Sequence, residues 1–284
     1  MVIAWLVLLG LCAGSFINAL VWRLHEQAEL SSHKVKKDYA KKLRDLSVVR
    51  GRSMCPHCHH ELSMADLIPV FSWLWLRGKC RYCQKPISWQ YPVVESITAM
   101  SFIVSYLAWP SMLSGWESIN FGLWLVILTG LIALIVYDLR WMLLPNRIIF
   151  PLLAVAVIKD VILLRRSGDP LHQFIEVIGA LAISGGIFYL IFQFSAGKWI
   201  GGGDVKLGLL LGLVLAQPSF ALLQVFLASL LGTLAILPAW IRHRVTSTSK
   251  VPYGPFLILS TFIVILWGSH IINWYQNLFS SGHF

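Results

Sequence analysis

Apolar residues run through this chain in long blocks, not in the alternating or one-faced patterns of soluble strands and helices. The blocks fall near residues 1–22, 93–109, 121–137, 148–164, 174–194, 205–216, 220–241 and 256–278. Most are long enough to cross a ~30 Å hydrocarbon layer as helices rising ~1.5 Å per residue. The pattern predicts an all-α polytopic membrane protein with about eight transmembrane helices. The sixth block is short for a full crossing, which predicts a re-entrant, tilted or glycine-extended segment. Residues 1–22 have no basic residue ahead of the apolar run and no small-x-small cleavage pattern behind it. The first block is therefore expected to be a true span and not a cleaved signal.

Composition agrees with this pattern: 57% of residues are hydrophobic, only 13% are charged, and the mean hydropathy is +0.71. Charge adds an orientation. Residues 23–92 hold 13 of the 23 lysines and arginines, whereas 110–120 hold none. The basic loop is expected on the cytoplasmic side with the N-terminus outside, which also places 138–147, 195–204 and 242–250 inside. Arg165 and Arg166 dissent. The net charge of +10 then reflects topology and contact with anionic membrane lipid, with no nucleic acid partner required.

Two carboxylates interrupt this apolar background. In "WIGGGDVKLG", Gly201, Gly202 and Gly203 precede Asp204. Residues without Cβ there permit positive φ and a close approach of a substrate strand. The local alternative is a flexible turn with an N-cap aspartate. In "IVYDLRWMLLPN", Asp138 ends the third block, where an ionisable group is a functional candidate by default. The alternative there is an anchoring pair with Arg140. One span out and one back bring Asp138 and Asp204 to the same side at similar depth. Paired carboxylates with separated proton affinities can activate water and protonate a leaving amine, the chemistry of an aspartyl protease.

The first loop carries Cys55, Cys58, Cys80 and Cys83 as two C-x-x-C knuckles. In a cytoplasmic loop these favour a structural Zn²⁺ site over disulfides or free thiols. His57, His59 and His60 flank the first knuckle and are expected to be solvated, and Cys12 is expected to pack as a small apolar residue.

Five stretches together resemble the type IV prepilin peptidases, a G-x-G-D aspartyl protease family: "GSFINALVWRL", "CPHC" with "CRYC", "DLRWMLLPN", "GGGD" and "VPYGPFL". They span about residues 14–257 in order. The resemblance implies a bacterial inner-membrane enzyme whose catalytic residues are Asp138 and Asp204. Its substrates would be prepilins or pseudopilins of type IV pilus or type II secretion systems, cut after a leader glycine at the cytoplasmic face. It also implies N-methylation of the new N-terminus from S-adenosylmethionine, for which Gly78, Lys79 and Glu95 are candidates. Each of these three also has a plain reading, as turn glycine, surface lysine and helix-start carboxylate. The expected divisions are a first transmembrane helix (1–22), a basic four-cysteine, zinc-ribbon-like loop (23–92) and a protease core (93–284). Residues 26–50 depart from the family pattern and read as a charged helix at the inner leaflet. Two other classes fit the same residues: an ion- or proton-coupled transporter using the paired aspartates, and a non-catalytic zinc-ribbon scaffold.

Overall fold

In the computed structural model, which describes residues 1–32, 46–48, 51–242 and 251–280, the long apolar blocks become helices and contacts divide them between two compact units. These are Met1–Leu107 and Ala108–Phe284. Among the described residues no strand forms beyond two isolated β-bridges, Met54 with Glu61 and Lys79 with Pro86.

The first unit is built on α1 (Val2–Ser32) and α3 (Gln90–Leu107), with the short α2 (Phe71–Trp75) between them. Glycine sets the approach of the two long helices. A Cβ at Gly10 would stand 2.5 Å from the Ala99 Cα, and one at Gly14 would stand 2.5 Å from the Glu95 Cα. The Asn18 side chain donates to the Tyr91 carbonyl at 3.1 Å. Residues 10, 14 and 18 thus meet 99, 95 and 91, so the pair is antiparallel. Beyond this contact Arg23 donates to the carbonyls of Ser47, Val48 and Gly51, and Gln27 to that of Leu46. The returning chain is pinned to the end of α1. Of the basic stretch 26–50, residues 26–32 continue α1, while 33–45 and 49–50 lie outside the described residues.

The second unit contains α4 (Trp116–Trp141), α5 (Asn146–Arg166), α6 (Pro170–Leu181), α7 (Ile187–Phe194), α8 (Gly202–Leu215), α9 (Pro218–Ile241) and α10 (Gly254–Ser280). A π-helical turn, Ala182–Gly186, joins α6 to α7 without a break. Among the described residues, five helical segments are long and apolar enough to cross a membrane: Val2–Ser31, Trp116–Trp141, Pro170–Phe194, Pro218–Ile241 and Gly254–Leu278. The other three expected spans form helices that are shorter or more polar. Glu95 lies in α3, Lys159 and Asp160 lie in α5, and α8 has only 14 residues.

α8 is the centre of its unit because it is apolar on every side, with Leu207, Leu210 and Leu211 fully buried. Gly208 and Gly212 form a small-xxx-small face, Gly208 against the π-turn and Gly212 against the end of α6, as in many membrane helix pairs. A Cβ at Gly212 would lie 3.0 Å from the Ala180 carbonyl oxygen and the Leu181 Cα. The helix stops at Ala216, which adopts the left-handed conformation (φ 56°) while its N–H bonds the Gly212 carbonyl. The last carbonyls have a dedicated donor. Lys159 of α5 reaches Leu213 O at 3.1 Å and Val214 O at 2.8 Å, and its ammonium pairs with Asp160 at 3.3 Å.

Candidate active site

Asp138 is placed by the way α4 ends. Its carbonyl accepts from the N–H of Met142 at 2.8 Å, and Met142 takes the left-handed conformation (φ 52°) that stops the helix. Pro145 then caps α5. The carboxylate is buried and its Oδ2 has no hydrogen-bond partner. No ion pair joins it to Arg140 among the described residues; the Arg140 guanidinium lies 5.1 Å from the Trp141 ring centroid instead.

Asp204 is the third residue of α8, and the backbone N–H of Gly201, at the cap position, is directed at its carboxylate. This is the return half of a capping box. The local alternative of an N-cap aspartate is therefore replaced by an aspartate in the first turn, capped from behind by glycine. The three glycines also differ from the expectation of an open, positive-φ approach. Gly201 is extended (φ −77°, ψ 151°). None of the three is among the positive-φ glycines, which are Gly78, Gly115 and Gly197. A Cβ on Gly203 would lie 3.2 Å from the Leu144 Cβ, whereas one on Gly202 would meet only Phe192, at 3.8 Å. The physical reason is packing: the start of α8 lies against the connection that follows Asp138. Gly201 and Gly202 remain exposed.

The same contact draws the two motifs together. Lys206 donates to the Asn146 side chain at 2.9 Å. The Asp204 carboxylate lies within electrostatic range of Asp138, and Tyr253 within that of Asp204. The Tyr253 hydroxyl is 3.2 Å from that of Ser229. Gly254 completes the group. Its N–H is directed at the Asp138 carboxylate, and a Cβ there would sit 2.6 Å from Oδ2. Tyr253 and Gly254 are the middle of "VPYGPFL", which the sequence offered only as a family marker. Lys159 and Asp160 were also missed, although two charges inside an apolar block are as strong a signal as Asp138.

In the first unit, the four cysteines form one cluster whose Sγ atoms all lie within 4.8 Å of one another. Cys55 and Cys83 are 3.9 Å apart. A tetrahedron of ~2.3 Å metal–sulfur bonds has edges of about 3.8 Å, so the donor set fits a metal such as zinc. The two knuckles repeat one backbone pattern: Cys55 N–H bonds His60 O and His59 N–H bonds Cys55 O, while Cys80 N–H bonds Lys85 O and Gln84 N–H bonds Cys80 O. His59 and Gln84 both have positive φ. Burial pushes the Cys80 thiol up, but the N–H groups of Cys83 and Tyr82 and the Cys55 and Cys83 thiols bring it down to about 7. His57, His59 and His60 are exposed, as is Cys12.

Asp66 ties the turn before α2 to the second knuckle, accepting from Arg81 at 2.7 Å and from the Ser63 hydroxyl at 2.8 Å. Burial pushes its carboxyl up, and these donors outweigh it and hold the group below the usual range. Gly78 (φ 69°) faces Trp73, whose ring a Cβ would approach to 2.9 Å. Glu95 is buried and accepts from the Val70 N–H at 2.7 Å. Only Lys79 of the three methyl-transfer candidates extends an exposed side chain.

Comparison with known proteins agrees with this combination of a cysteine-knuckle unit and a paired-aspartate helical unit. Residues 8–109 match the bacterial Peptidase A24 N-terminal domain, and residues 125–237 match the type IV leader peptidase family. Relatives named prepilin leader peptidase/N-methyltransferase occur in Aeromonas hydrophila, Dickeya chrysanthemi and Bacillus subtilis. The Aeromonas protein is 33% identical over 96% of this chain and 93% of its own length. The Dickeya protein is 34% identical over 90% and 89%, and the Bacillus protein 31% over 81% and 87%. No solved structure matches significantly. The chain belongs to the type IV leader peptidase family.

Proposed function

We propose that this protein is a membrane-bound aspartyl endopeptidase that removes the short basic leader of type IV prepilins or pseudopilins. The observation that carries the reading is the juxtaposition of Asp138 and Asp204 within electrostatic range in one unit, with an unpartnered Asp138 oxygen beside Gly254. One carboxylate, ionised, takes a proton from a water molecule while the oxygen of that water bonds to the scissile carbonyl carbon. The other, protonated, donates to the carbonyl oxygen. Collapse of the tetrahedral intermediate breaks the C–N bond, and the proton goes to the leaving amine. The exposed Gly201 and Gly202 give an extended substrate backbone its path to Asp204.

The same reading puts the protein in the bacterial inner membrane with its N-terminus outside and the site facing the cytoplasm, since the basic residues favour that side. A protease core in the C-terminal part and a four-cysteine loop in the N-terminal part are its functional divisions. Cys55, Cys58, Cys80 and Cys83 hold a structural Zn²⁺. By the name its relatives share, the enzyme also methylates the new N-terminal amine, and S-adenosylmethionine supplies the methyl group. Gly78, Lys79 and Glu95 remain the candidates for its site: Gly78 faces the Trp73 ring, Glu95 accepts from the Val70 N–H, and Lys79 is exposed. The decisive experiment is incubation of the detergent-purified protein with a recombinant prepilin. Shortening of the prepilin at the leader junction supports the proposal, and an intact prepilin at equimolar enzyme refutes it.

A further inference from the structure

The antiparallel α1–α3 pair works as a depth gauge: 18 lies beside 91, 14 one turn further along beside 95, and 10 one turn further again beside 99. α1 has the length and apolarity to cross a bilayer, so α3, packed along it, lies at the same depths. The chain between the two cysteine knuckles does not stay outside the start of α3. The Val70 N–H bonds the Glu95 carboxylate at 2.7 Å, which places α2 about one helical turn inside Gln90. Val70 is held there in a conformation that β-branched residues rarely adopt (φ 62°). Trp73 of this segment packs inward on Gly78 and Trp89, but five other large apolar side chains face away from the unit. Trp75 is 85% exposed and Met64 is 88% exposed, and Ile68, Phe71 and Leu74 are exposed beside them in sequence.

Five large apolar side chains presented outward within a dozen residues call for a cover. We infer that residues 64–75 form an interfacial anchor, seated in the headgroup–acyl boundary of the leaflet from which the cysteine loop emerges. Three observations favour a lipid surface as the occupant. Val70 lies beside Glu95, near the loop end of the α1–α3 pair, the level at which interfacial elements, ~5–10 Å into the boundary, are found. Trp75 and the exposed Trp89, just before α3, have the amphipathic rings enriched at that level. Arg77, Lys79 and Lys85 follow the patch and are exposed, complementing anionic headgroups. The inference is independent of the protease reading, because it uses neither aspartate.

The test places the full chain, labelled with 5-fluorotryptophan, in nanodiscs of phosphatidylethanolamine and phosphatidylglycerol. The Trp75→Phe variant assigns the Trp75 fluorine signal, and Trp5, 72% exposed in α1, serves as a lipid-facing reference. Relaxation is measured with a nitroxide at carbon 5 of the acyl chain and, separately, with a water-soluble gadolinium chelate. The anchor predicts lipid-borne broadening of Trp75 comparable to that of Trp5, and at least threefold less broadening by the chelate than for a tryptophan in free peptide. Full broadening of Trp75 by the chelate overturns the inference. Protection that appears only when a prepilin is added also overturns it, and reassigns the patch to substrate docking.

Discussion

Gly254→Ala isolates the contact between the start of α10 and Asp138. The backbone at Gly254 is not left-handed, so alanine meets no conformational penalty and the effect is steric. The new methyl would stand 2.6 Å from Asp138 Oδ2 and 3.4 Å from Cγ. Reaching ordinary contact at about 3.4 Å requires the carboxylate to retreat by about 0.8 Å. Displacements of ~1 Å in a catalytic array cost on the order of 10²-fold in rate, close to 2.7 kcal/mol of barrier. The expected loss in kcat/KM for prepilin cleavage is therefore roughly 50- to 100-fold. Gly122→Ala is the matched control, because a methyl there would meet nothing within 4 Å, and it should stay within a few-fold of wild type. The assay is leader removal by purified enzyme, normalised to monodisperse protein recovered in detergent. A Gly254→Ala enzyme within threefold of wild type at equal recovery refutes the placement of Gly254 against the reacting carboxylate.

Asp138→Asn and Asp204→Asn should each lower cleavage by several orders of magnitude while leaving membrane insertion intact, read by the same assay and by membrane fractionation; near-normal turnover by either rules out the dyad. Cys55→Ser or Cys80→Ser should lower the zinc content measured by elemental analysis and make residues 51–89 protease-sensitive, since a lost thiolate leaves the tetrahedron incomplete; metal-free wild-type protein purified without chelator contradicts the site. Lys159→Met strips Asp160 of its ion pair and α8 of its terminal donor, so a loss of about 3–5 kcal/mol is expected in thermal unfolding. Lys159→Met with Asp160→Leu should recover much of it; a double variant no more stable than the single shows that the ion pair is not the source. Gly203→Val should impair cleavage and also yield, because its side chain would press on Leu144. Loss of cleavage at full yield favours the open-approach reading instead.

The parts of this protein legible in sequence are those encoded by one local signal. Run length and apolarity announced the helices, two C-x-x-C pairs announced the four-cysteine cluster, and Asp138 stood out against an apolar block. The rest depends on which helices meet. That Gly203 packs on Leu144 while Gly201 takes the cap position of α8 depends on helix contacts that periodicity does not reveal. Gly254 stood in the sequence only as part of the family stretch "VPYGPFL", and only the fold brings its N–H to a carboxylate 116 positions earlier in the numbering. The short α8 was visible as a short block, but its donor, Lys159, lies 54 residues from Leu213. Glu95 reads as a helix-start charge until the Val70 N–H is found against it.

The repeated knuckle pattern has a consequence for how the loop responds to its surroundings. Cys55 and Cys58 belong to one turn, Cys80 and Cys83 to the other, and neither turn alone offers more than two sulfurs. An ion held by one half gains the remaining donors only when the other half is already shaped to receive it. Each molecule therefore has two states and no half-built one: across a range of free metal concentrations the loop should be found either assembled around an ion or open at both turns, with only the proportion changing. The helices of the second unit carry none of these sulfurs, so metal starvation would strike the loop while leaving the aspartate-bearing helices in place.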